Sequence, residues 1–191
     1  MRVAIVLAAG SSRRFGAANK LLTPLDGRPL LAHALVAARH APVAWILVVT
    51  GADRTRVAAV VRRTLPRARI VHARKHREGI AASLAAALAA LPSRVDEALV
   101  FLGDMPRIPP GLAWRLLRRR GGSGPSVRPM VNRQPAHPVL LARGDFAAAA
   151  GLTGDRGPGG LLARRGARTL SLPRSWRGAI ADMDFRREFG R

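Results

Sequence analysis

The segment from Val3 to Lys20 reads VAIVLAAGSSRRFGAANK and joins an apolar run to a loop of small and cationic residues. Its first five residues are apolar and partly β-branched, which predicts a buried strand. Gly10 and Gly16 follow, and glycine lets a backbone approach a ligand closely or adopt a positive φ. Free backbone N–H groups in such a loop form an anion nest, while Arg14 and Lys20 add donors suited to phosphate oxygens. The segment therefore predicts a strand that opens into a triphosphate-binding loop.

The loop does not have the spacing of the two common phosphate loops. No G-x-G-x-x-G follows the strand, and Leu21 stands where a G-x-x-x-x-G-K-[ST] loop has Ser or Thr. The segment instead resembles the signature L-A-A-G-x-S-x-R-[FM]-G-x(2,3)-K of the MobA-like nucleotidyltransferases. An ordinary basic loop between a strand and a helix is the alternative. The resemblance implies that the nucleotide is bound by Leu7, Ala8, Ala9, Gly10, Ser12, Arg14, Gly16 and Lys20.

Length, cysteine usage and hydropathy limit the class of protein. A chain of 191 residues suits one domain, so we expect a single nucleotidyltransferase domain over residues 1–191. The absence of cysteine excludes disulfides and thiolate metal sites and fits a cytoplasmic protein. The apolar N-terminal run is too short for a signal peptide, and no run is long enough to cross a bilayer. We therefore expect no association with a membrane.

The formal charge is +22, from 33 Lys and Arg against 11 Asp and Glu. A field of this sign attracts nucleic acid or anionic membranes, and it equally attracts a triphosphate and a phosphorylated second substrate. Abundant Arg, Ala, Gly and Pro is also typical of a GC-rich genome. No basic patch interleaved with aromatic residues and no helix-turn-helix signature occurs, which disfavours a dedicated nucleic-acid-binding protein.

Strand-like and helix-like runs alternate along the first 120 residues. We predict strands at 3–7, 45–50, 68–73 and 98–102 and helices at 29–39, 53–65, 79–91 and 109–120, with Asp53 as the N-cap of the second helix. This order predicts a mostly parallel central sheet with helices on both faces. The resemblance implies that the three layers form the α/β/α Rossmann-like nucleotidyltransferase fold. The pattern loosens after Gly121, where short strands are expected at 126–131, 138–142, 169–172 and 179–184 and short helices at 146–152 and 161–165.

Asp104 ends a strand-like run in the sequence Gly103-Asp104-Met105-Pro106. Ligands of open α/β sheets bind at the carboxyl ends of strands, and Mg²⁺ is usually held by one or two carboxylates together with substrate phosphates. The alternative is a turn residue that caps the following helix. The segment is similar to the G-D-M-P or A-D-Q-P turn of molybdenum cofactor nucleotidyltransferases, which implies that Asp104 binds the metal.

A late carboxylate pair, Asp182 and Asp184, resembles the D-[IV]-D-T-P-E-D motif of that family. Phe185 and Arg186 replace the Thr and Pro of the motif, which leaves open which carboxylate binds the metal and whether both merely cap a last helix. By position in the resemblance we prefer Asp184 as the metal ligand and assign Asp182 to the second substrate. The implied cofactor is Mg²⁺, with Mn²⁺ as the alternative.

Two further segments resemble the cytidylyltransferase branch of the family. The run from His76 to Leu84 is similar to W-x-E-G-M-A-S-S-L, which implies that Gly79 and Ser83 contact the nucleotide. A serine that bonds back inside its own helix is the alternative. His137 lies in a segment similar to G-H-P-V-L, and the resemblance assigns it to the second substrate. The other histidines show no metal-ligand spacing and are interpreted as structural: His33, His40, His72 and His76.

The reaction that the resemblance implies is transfer of CMP from CTP to a molybdopterin phosphate, with release of pyrophosphate. Arg14, Lys20 and Asp104 are the implied catalytic residues. Ala9, where guanylyl enzymes usually carry a second Gly, favours CTP over GTP. A molybdoenzyme or a maturation chaperone is the implied protein partner. The alternatives are guanylyl transfer, transfer to a sugar 1-phosphate or similar acceptor, and an inactive nucleic-acid-binding or regulatory relative.

Overall fold

The computed structural model describes residues 1–10 and 19–180. Within these ranges the main sheet has the strand order β5-β4-β1-β6-β9-β7-β10, with β8 paired to β7, and β2 and β3 form a separate hairpin. The strands are β1 (Arg2–Ala8), β2 (Pro24–Leu25), β3 (Arg28–Pro29), β4 (Trp45–Thr50), β5 (Arg69–His72), β6 (Glu97–Leu102), β7 (Val127–Val131), β8 (Gln134–Pro135), β9 (Val139–Ala142) and β10 (Arg168–Leu172). The helices are α1 (Leu30–Arg39), α2 (Arg54–Thr64), α3 (Ile80–Ala89), α4 (Leu112–Arg120), α5 (Phe146–Ala150) and α6 (Pro158–Arg164).

The sheet is mostly parallel. Strand β1 pairs in parallel with β4 and β6, and β4 pairs in parallel with β5. Strand β9 runs antiparallel to both β6 and β7, whereas β10 pairs in parallel with β7. The carboxyl ends of β1, β4, β5 and β6 therefore lie at one edge of the sheet, where the antiparallel β9 begins.

Helices cover both faces of the sheet and create two separate cores. Alternate residues of β1 divide between them: Val3, Ile5 and Leu7 join one cluster, and Ala4, Val6 and Ala8 join the other. The first cluster includes buried residues of α3, α5 and α6, and the second includes buried residues of α1, α2 and α4. The period of two in a fully buried strand thus produces the predicted three-layer α/β/α fold.

Three local expectations about helix and strand ends are wrong. Helix α4 begins at Leu112 rather than Pro109, because Gly111 precedes it with a φ of 79°. Asp53 stands at the N-cap position of α2, but its side chain makes no capping hydrogen bond and its backbone is left-handed with a φ of 50°. Ala179 lies in a 3-10 turn, Arg174–Ala179, and not in a strand. Each error falls where a positive φ or a tight turn replaces the regular backbone that the sequence pattern suggests.

The other predicted elements of the described ranges are present with ends shifted by a few residues. The short strand β8 was not expected, because Gln134–Pro135 is a two-residue hairpin partner of β7 with no apolar alternation of its own. Within residues 1–10 and 19–180, every helix is too short or too polar to cross a membrane.

Candidate functional site

The ends of β1 and β6 are held together by Gly103. Its backbone N–H donates a hydrogen bond of 2.9 Å to the carbonyl oxygen of Leu7. A Cβ at Gly103 would lie 3.0 Å from that oxygen and 3.1 Å from Cδ1 of Leu31, so a larger residue would push the two strand ends apart. Glycine at this position therefore brings Asp104 beside the start of the predicted phosphate loop at Ala8.

Lys20 and Asp104 form an ion pair across this strand edge. The Nζ of Lys20 lies 2.7 Å from Oδ2 of Asp104, and their side chains are 13% and 25% exposed. The structure thus brings together the two described residues that the sequence predicted to be catalytic. Helix α4 begins eight residues after Asp104 without a side-chain cap, so Asp104 does not cap that helix.

Asn19 fixes the turn that carries Lys20. Its side-chain oxygen accepts a hydrogen bond of 3.1 Å from the backbone N–H of Leu21, and its own carbonyl accepts one of 3.0 Å from Leu22. These bonds close the 3-10 turn Lys20–Leu22. Sequence reasoning assigned Asn19 no role, although an Asn directly before a short helical turn is a recognisable capping signal.

Ala9, Gly51 and His76 lie in contact at the same edge of the sheet and form a wall of the candidate site. The carbonyl oxygen of Ala9 accepts a hydrogen bond of 3.3 Å from Ala52, directly after Gly51. A Cβ at Gly51 would lie 2.5 Å from the Ala9 oxygen and 2.6 Å from Cγ of His76, so only glycine allows this contact. His76 was interpreted as structural, yet it lies beside the predicted nucleotide loop.

The tautomer of His76 follows from its hydrogen bond. Its Nδ1 lies 3.0 Å from the carbonyl oxygen of Ala73, and because a carbonyl only accepts, Nδ1 carries the proton. In the neutral ring Nε2 is then an acceptor. His72 lies nearby, with its ring centroid 6.0 Å from that of His76, and its Nδ1 is enclosed without a hydrogen-bond partner among the described residues. His72 ends β5 and His76 follows it by four residues, so the strand-end rule could have found them.

The start of α3 is packed against a later loop. Gly79 has a φ of 111°, and a Cβ there would collide with the carbonyl group of Gly154. That carbonyl oxygen accepts a hydrogen bond of 3.1 Å from Ala81 in the first turn of α3. Ser83 is only 2% exposed, in the interface between α3 and the sheet. A nucleotide role for Gly79 and Ser83 therefore stays a prediction. The side chain of Ser83 is buried in this structure.

His137 lies half-buried at the start of β9, at the same edge as Asp104. Its Nδ1 is 3.4 Å from the carbonyl oxygen of Val100. Burial lowers the pKa of His137, and the Val100 hydrogen bond and the charge of Asp104 partly oppose that shift. A contact of His137 with a second substrate stays a prediction.

Five predicted site residues lie outside the described residues: Ser12, Arg14, Gly16, Asp182 and Asp184. Among residues 1–10 and 19–180, no three His, Cys, Asp or Glu residues are grouped closely enough to hold a metal ion by themselves. The described chain therefore offers one carboxylate, that of Asp104, at the predicted metal position.

Comparison with known proteins places this arrangement in a family. The model of the MobA-like NTP transferase domain matches residues 4–169. The Bifunctional protein GlmU of Rhizorhabdus wittichii is 34% identical over 149 residues, which are 75% of this chain and 32% of that protein. The chain thus spans about a third of the length of this curated relative.

Solved structures extend the comparison to the whole fold. Rv0371c of Mycobacterium tuberculosis, solved as a complex with manganese, is 25% identical and superposes with a TM-score of 0.76 over 90% of this chain and 88% of its own. A nucleotidyl transferase from Methanothermobacter is 21% identical with a TM-score of 0.81, covering 99% of this chain and 94% of its own. The latter similarity concerns the fold alone.

Proposed function

Because the chain belongs to the MobA-like NTP transferase domain family, we propose that it is a metal-dependent nucleotidyltransferase that transfers CMP from CTP to the phosphate of a molybdopterin. The observation that carries this proposal is the meeting of Lys20 and Asp104 at the carboxyl ends of β1 and β6. A cation for phosphate and a carboxylate for a metal are the two charges that such a reaction needs side by side.

The reaction exchanges one P–O bond for another. An oxygen of the acceptor phosphate attacks the α-phosphorus of CTP, and the bond from that phosphorus to the bridging oxygen of the β-phosphate breaks. Pyrophosphate leaves with the electron pair. Since a phosphate oxygen is already nucleophilic, no protein base is required, and the protein contributes position and charge neutralisation.

Lys20 stabilises the departing pyrophosphate in this proposal. Its ammonium group is positioned by the Asn19 turn and is mostly shielded from water, which strengthens its interaction with phosphate oxygens. Arg14 and the backbone N–H groups of the loop have the same role by resemblance. The charge that develops on the leaving group is therefore met by donors from one continuous segment.

Asp104 fits a divalent metal by its chemistry and its location. Its carboxylate is a hard oxygen ligand, it keeps some contact with solvent, and it lies where the predicted triphosphate loop begins. One carboxylate and several phosphate oxygens suffice for Mg²⁺ in nucleotide sites, and the resemblance adds Asp184. A bound divalent cation would neutralise charge on the α-phosphate.

The wall of Ala9, Gly51 and His76 supports a cytosine base. By resemblance, Ala9 in place of a second Gly disfavours a purine; its side chain is buried in the core that includes α3. With Nδ1 donating to Ala73, the Nε2 of a neutral His76 ring would be an acceptor, which matches the 4-amino group of cytosine and mismatches the 4-oxo group of uracil. A site built to pair with a base amine rejects an analogue without it.

His137 and Asp182 are proposed to contact the molybdopterin acceptor. His137 lies just before β9, which pairs with β6 on the side away from β1, so an acceptor phosphate held there would approach the α-phosphate from the β9 side of the sheet. In-line attack requires the nucleophile and the leaving group on opposite sides of the phosphorus. A molybdoenzyme or a maturation chaperone is the proposed protein partner of this acceptor.

A second candidate is transfer of a nucleotide to a sugar 1-phosphate or a similar acceptor. The predicted phosphate loop is shared across this wider group, whereas the segments around Gly79 and His137 favour the molybdopterin acceptor. Guanylyl transfer to molybdopterin is the nearest alternative within the first candidate.

The deciding experiment measures pyrophosphate release from each of the four NTPs, with molybdopterin or a panel of sugar 1-phosphates as acceptor and with Mg²⁺ or Mn²⁺. We expect release with CTP and molybdopterin. Preference for GTP would move the assignment to guanylyl transfer, and release only with a sugar 1-phosphate would replace the acceptor. No release under any combination, together with salt-steep DNA binding, would favour an inactive nucleic-acid-binding relative.

Three variants connect that activity to the site. Lys20→Ala should lower turnover by more than about a hundredfold, by analogy with the loss of one transition-state donor. Asp104→Asn should abolish metal-dependent turnover, because the amide keeps the shape and loses the charge. Lys75→Ala is the matched control, since Lys75 is an exposed lysine whose Nζ lies 3.9 Å from Glu78. Near-normal turnover in Lys20→Ala or Asp104→Asn would contradict the site.

A further inference from the structure

The ion pair of Lys20 with Asp104 joins two groups that the proposed reaction assigns to different ligands. The ammonium group is assigned to the triphosphate and the carboxylate to a divalent cation. In the structure they bind each other at 2.7 Å, in a partly buried location with 13% and 25% exposure. The Lys20 ammonium and the Asp104 carboxylate are therefore already paired with each other before any substrate binds.

A divalent cation and the Lys20 ammonium compete for one carboxylate. Both are positive, and their mutual repulsion is strong where little water lies between them. A cation that approaches Asp104 must therefore displace Lys20 or share the carboxylate with it at a cost. An incoming polyphosphate changes this balance, because it offers Lys20 another anion.

We propose that the Lys20–Asp104 ion pair closes the cation site of the nucleotide-free protein, so that a divalent cation and a polyphosphate bind with positive cooperativity. The inference rests on the proposed function for the assignment of its two ligands. By thermodynamic linkage, whatever factor the polyphosphate gives the cation, the cation gives the polyphosphate. The pair would thus keep the protein from holding a metal without its nucleotide.

The second lysine of the chain provides a control for the loss of one positive charge. Lys20 and Lys75 are its only lysines. Lys75 is 77% exposed, and its ion pair with Glu78 is long at 3.9 Å. Replacing either lysine by Met removes one positive charge and keeps a long side chain, so the two variants have the same net charge and differ only in where the charge is lost.

The test measures Mn²⁺ binding to the nucleotide-free protein from the electron paramagnetic resonance signal of free Mn²⁺. We expect Lys20→Met to bind Mn²⁺ at least about tenfold more tightly than the unaltered protein, within the usual range of coupling between two sites. Lys75→Met should change the affinity by less than about twofold, as expected for a screened surface charge. Asp104→Asn should bind weakly, and Lys20→Met combined with Asp104→Asn should bind equally weakly.

A reciprocal measurement uses tripolyphosphate in the presence of EDTA, detected by calorimetry. Asp104→Asn removes the carboxylate charge that pairs with Lys20 and should bind tripolyphosphate more tightly than the unaltered protein. Asp53→Asn is the control, because Asp53 is an exposed carboxylate that lies 4.0 Å from Arg56. An equal gain in both variants would show a general charge effect and overturn the inference.

Unchanged Mn²⁺ affinity in Lys20→Met would also overturn the inference, as would equal gains in Lys20→Met and Lys75→Met. Circular dichroism establishes that each variant is folded, and Lys20→Gln replaces Lys20→Met if the latter does not fold. None of these measurements contains CTP or molybdopterin. If the proposed base or acceptor is wrong, the Mn²⁺ affinities still test the ion pair. If the Mn²⁺ affinities contradict the inference, the assay of pyrophosphate release still tests the proposed function.

Discussion

The backbone N–H of His137 donates a hydrogen bond of 2.8 Å to the carbonyl oxygen of Ala179. This bond fixes the 3-10 turn Arg174–Ala179 to the start of β9. The neighbouring Gly178 packs so closely on the loop after Asp104 that a Cβ would collide with the carbonyl oxygen of Arg107. The chain that leads to the late carboxylates is thus attached to both the metal-binding and the acceptor side of the proposed site.

Ala9→Gly tests the proposed exclusion of purines. The variant removes the methyl group that by resemblance disfavours a purine, and we expect the ratio of kcat/KM for CTP to that for GTP to fall. A methyl-sized difference is worth about 1–3 kcal/mol, so a shift of tenfold or more is expected. Competition kinetics with both nucleotides measure it. An unchanged ratio would show that base choice is made elsewhere.

The fold was predictable because its strands carry apolar runs and its helices alternate with them. β1, β4 and β6 lie where the sequence predicts them, and the family resemblance named Lys20 and Asp104 before any geometry was known. The strand-end rule accounts for Asp104, which lies two residues after β6, but not for Lys20, which lies twelve residues after β1. What the sequence pattern resolves is therefore the order of elements and the residues that follow strands.

Contacts between distant loops could not be predicted in this way. Gly51 looks like an ordinary turn glycine until the Ala9 carbonyl and His76 are found against it. Gly79 was expected to face a nucleotide, and it also packs on Gly154, which lies in a different segment. Such contacts depend on how loops fold over the sheet, and the periodicity of apolar residues does not predict the paths of loops.

Glu97 should be important for stability, at the edge of the sheet opposite the proposed site. Its carboxylate accepts hydrogen bonds of 2.6 Å from Arg120 and 2.5 Å from Arg2, and Arg120 is only 7% exposed. Glu97→Gln leaves a buried guanidinium without its counter-charge, which should lower the free energy of unfolding by about 1–3 kcal/mol. Urea denaturation measures the loss.

Glu78→Gln is the control for that prediction. Its exposed ion pair with Lys75 should contribute less than about 1 kcal/mol. If Glu97→Gln and Glu78→Gln lowered the free energy of unfolding equally, the prediction that burial makes the Glu97–Arg120 pair more stabilising would be wrong.

His137 makes stability depend on pH in a defined direction. Burial lowers its pKa below the ordinary value of 6.5, so between the two values the unfolded chain binds a proton that the folded protein does not. The contribution of neutral, buried His137 to the free energy of unfolding is fully present above pH 6.5 and declines as the pH falls below that value. We expect His137→Asn to unfold with a shallower loss of stability below that pH. His40→Asn, at an exposed histidine, should keep the original slope. The free energy of unfolding, measured by urea at several pH values, decides between them.

The late carboxylates provide the last prediction: Asp184→Ala should damage activity much more than Asp182→Ala. Asp182 and Asp184 follow Ile180, the last described residue, by two and four positions, a difference in chain length too small to rank them. The order therefore rests on the resemblance, in which the second Asp of the pair joins Asp104 at the metal. The Mg²⁺ concentration for half-maximal turnover should rise in Asp184→Ala and stay near its original value in Asp182→Ala, whose KM for the acceptor should rise instead. Equal losses would mean that both residues hold the metal, and a larger Mg²⁺ effect in Asp182→Ala would reverse the assignment.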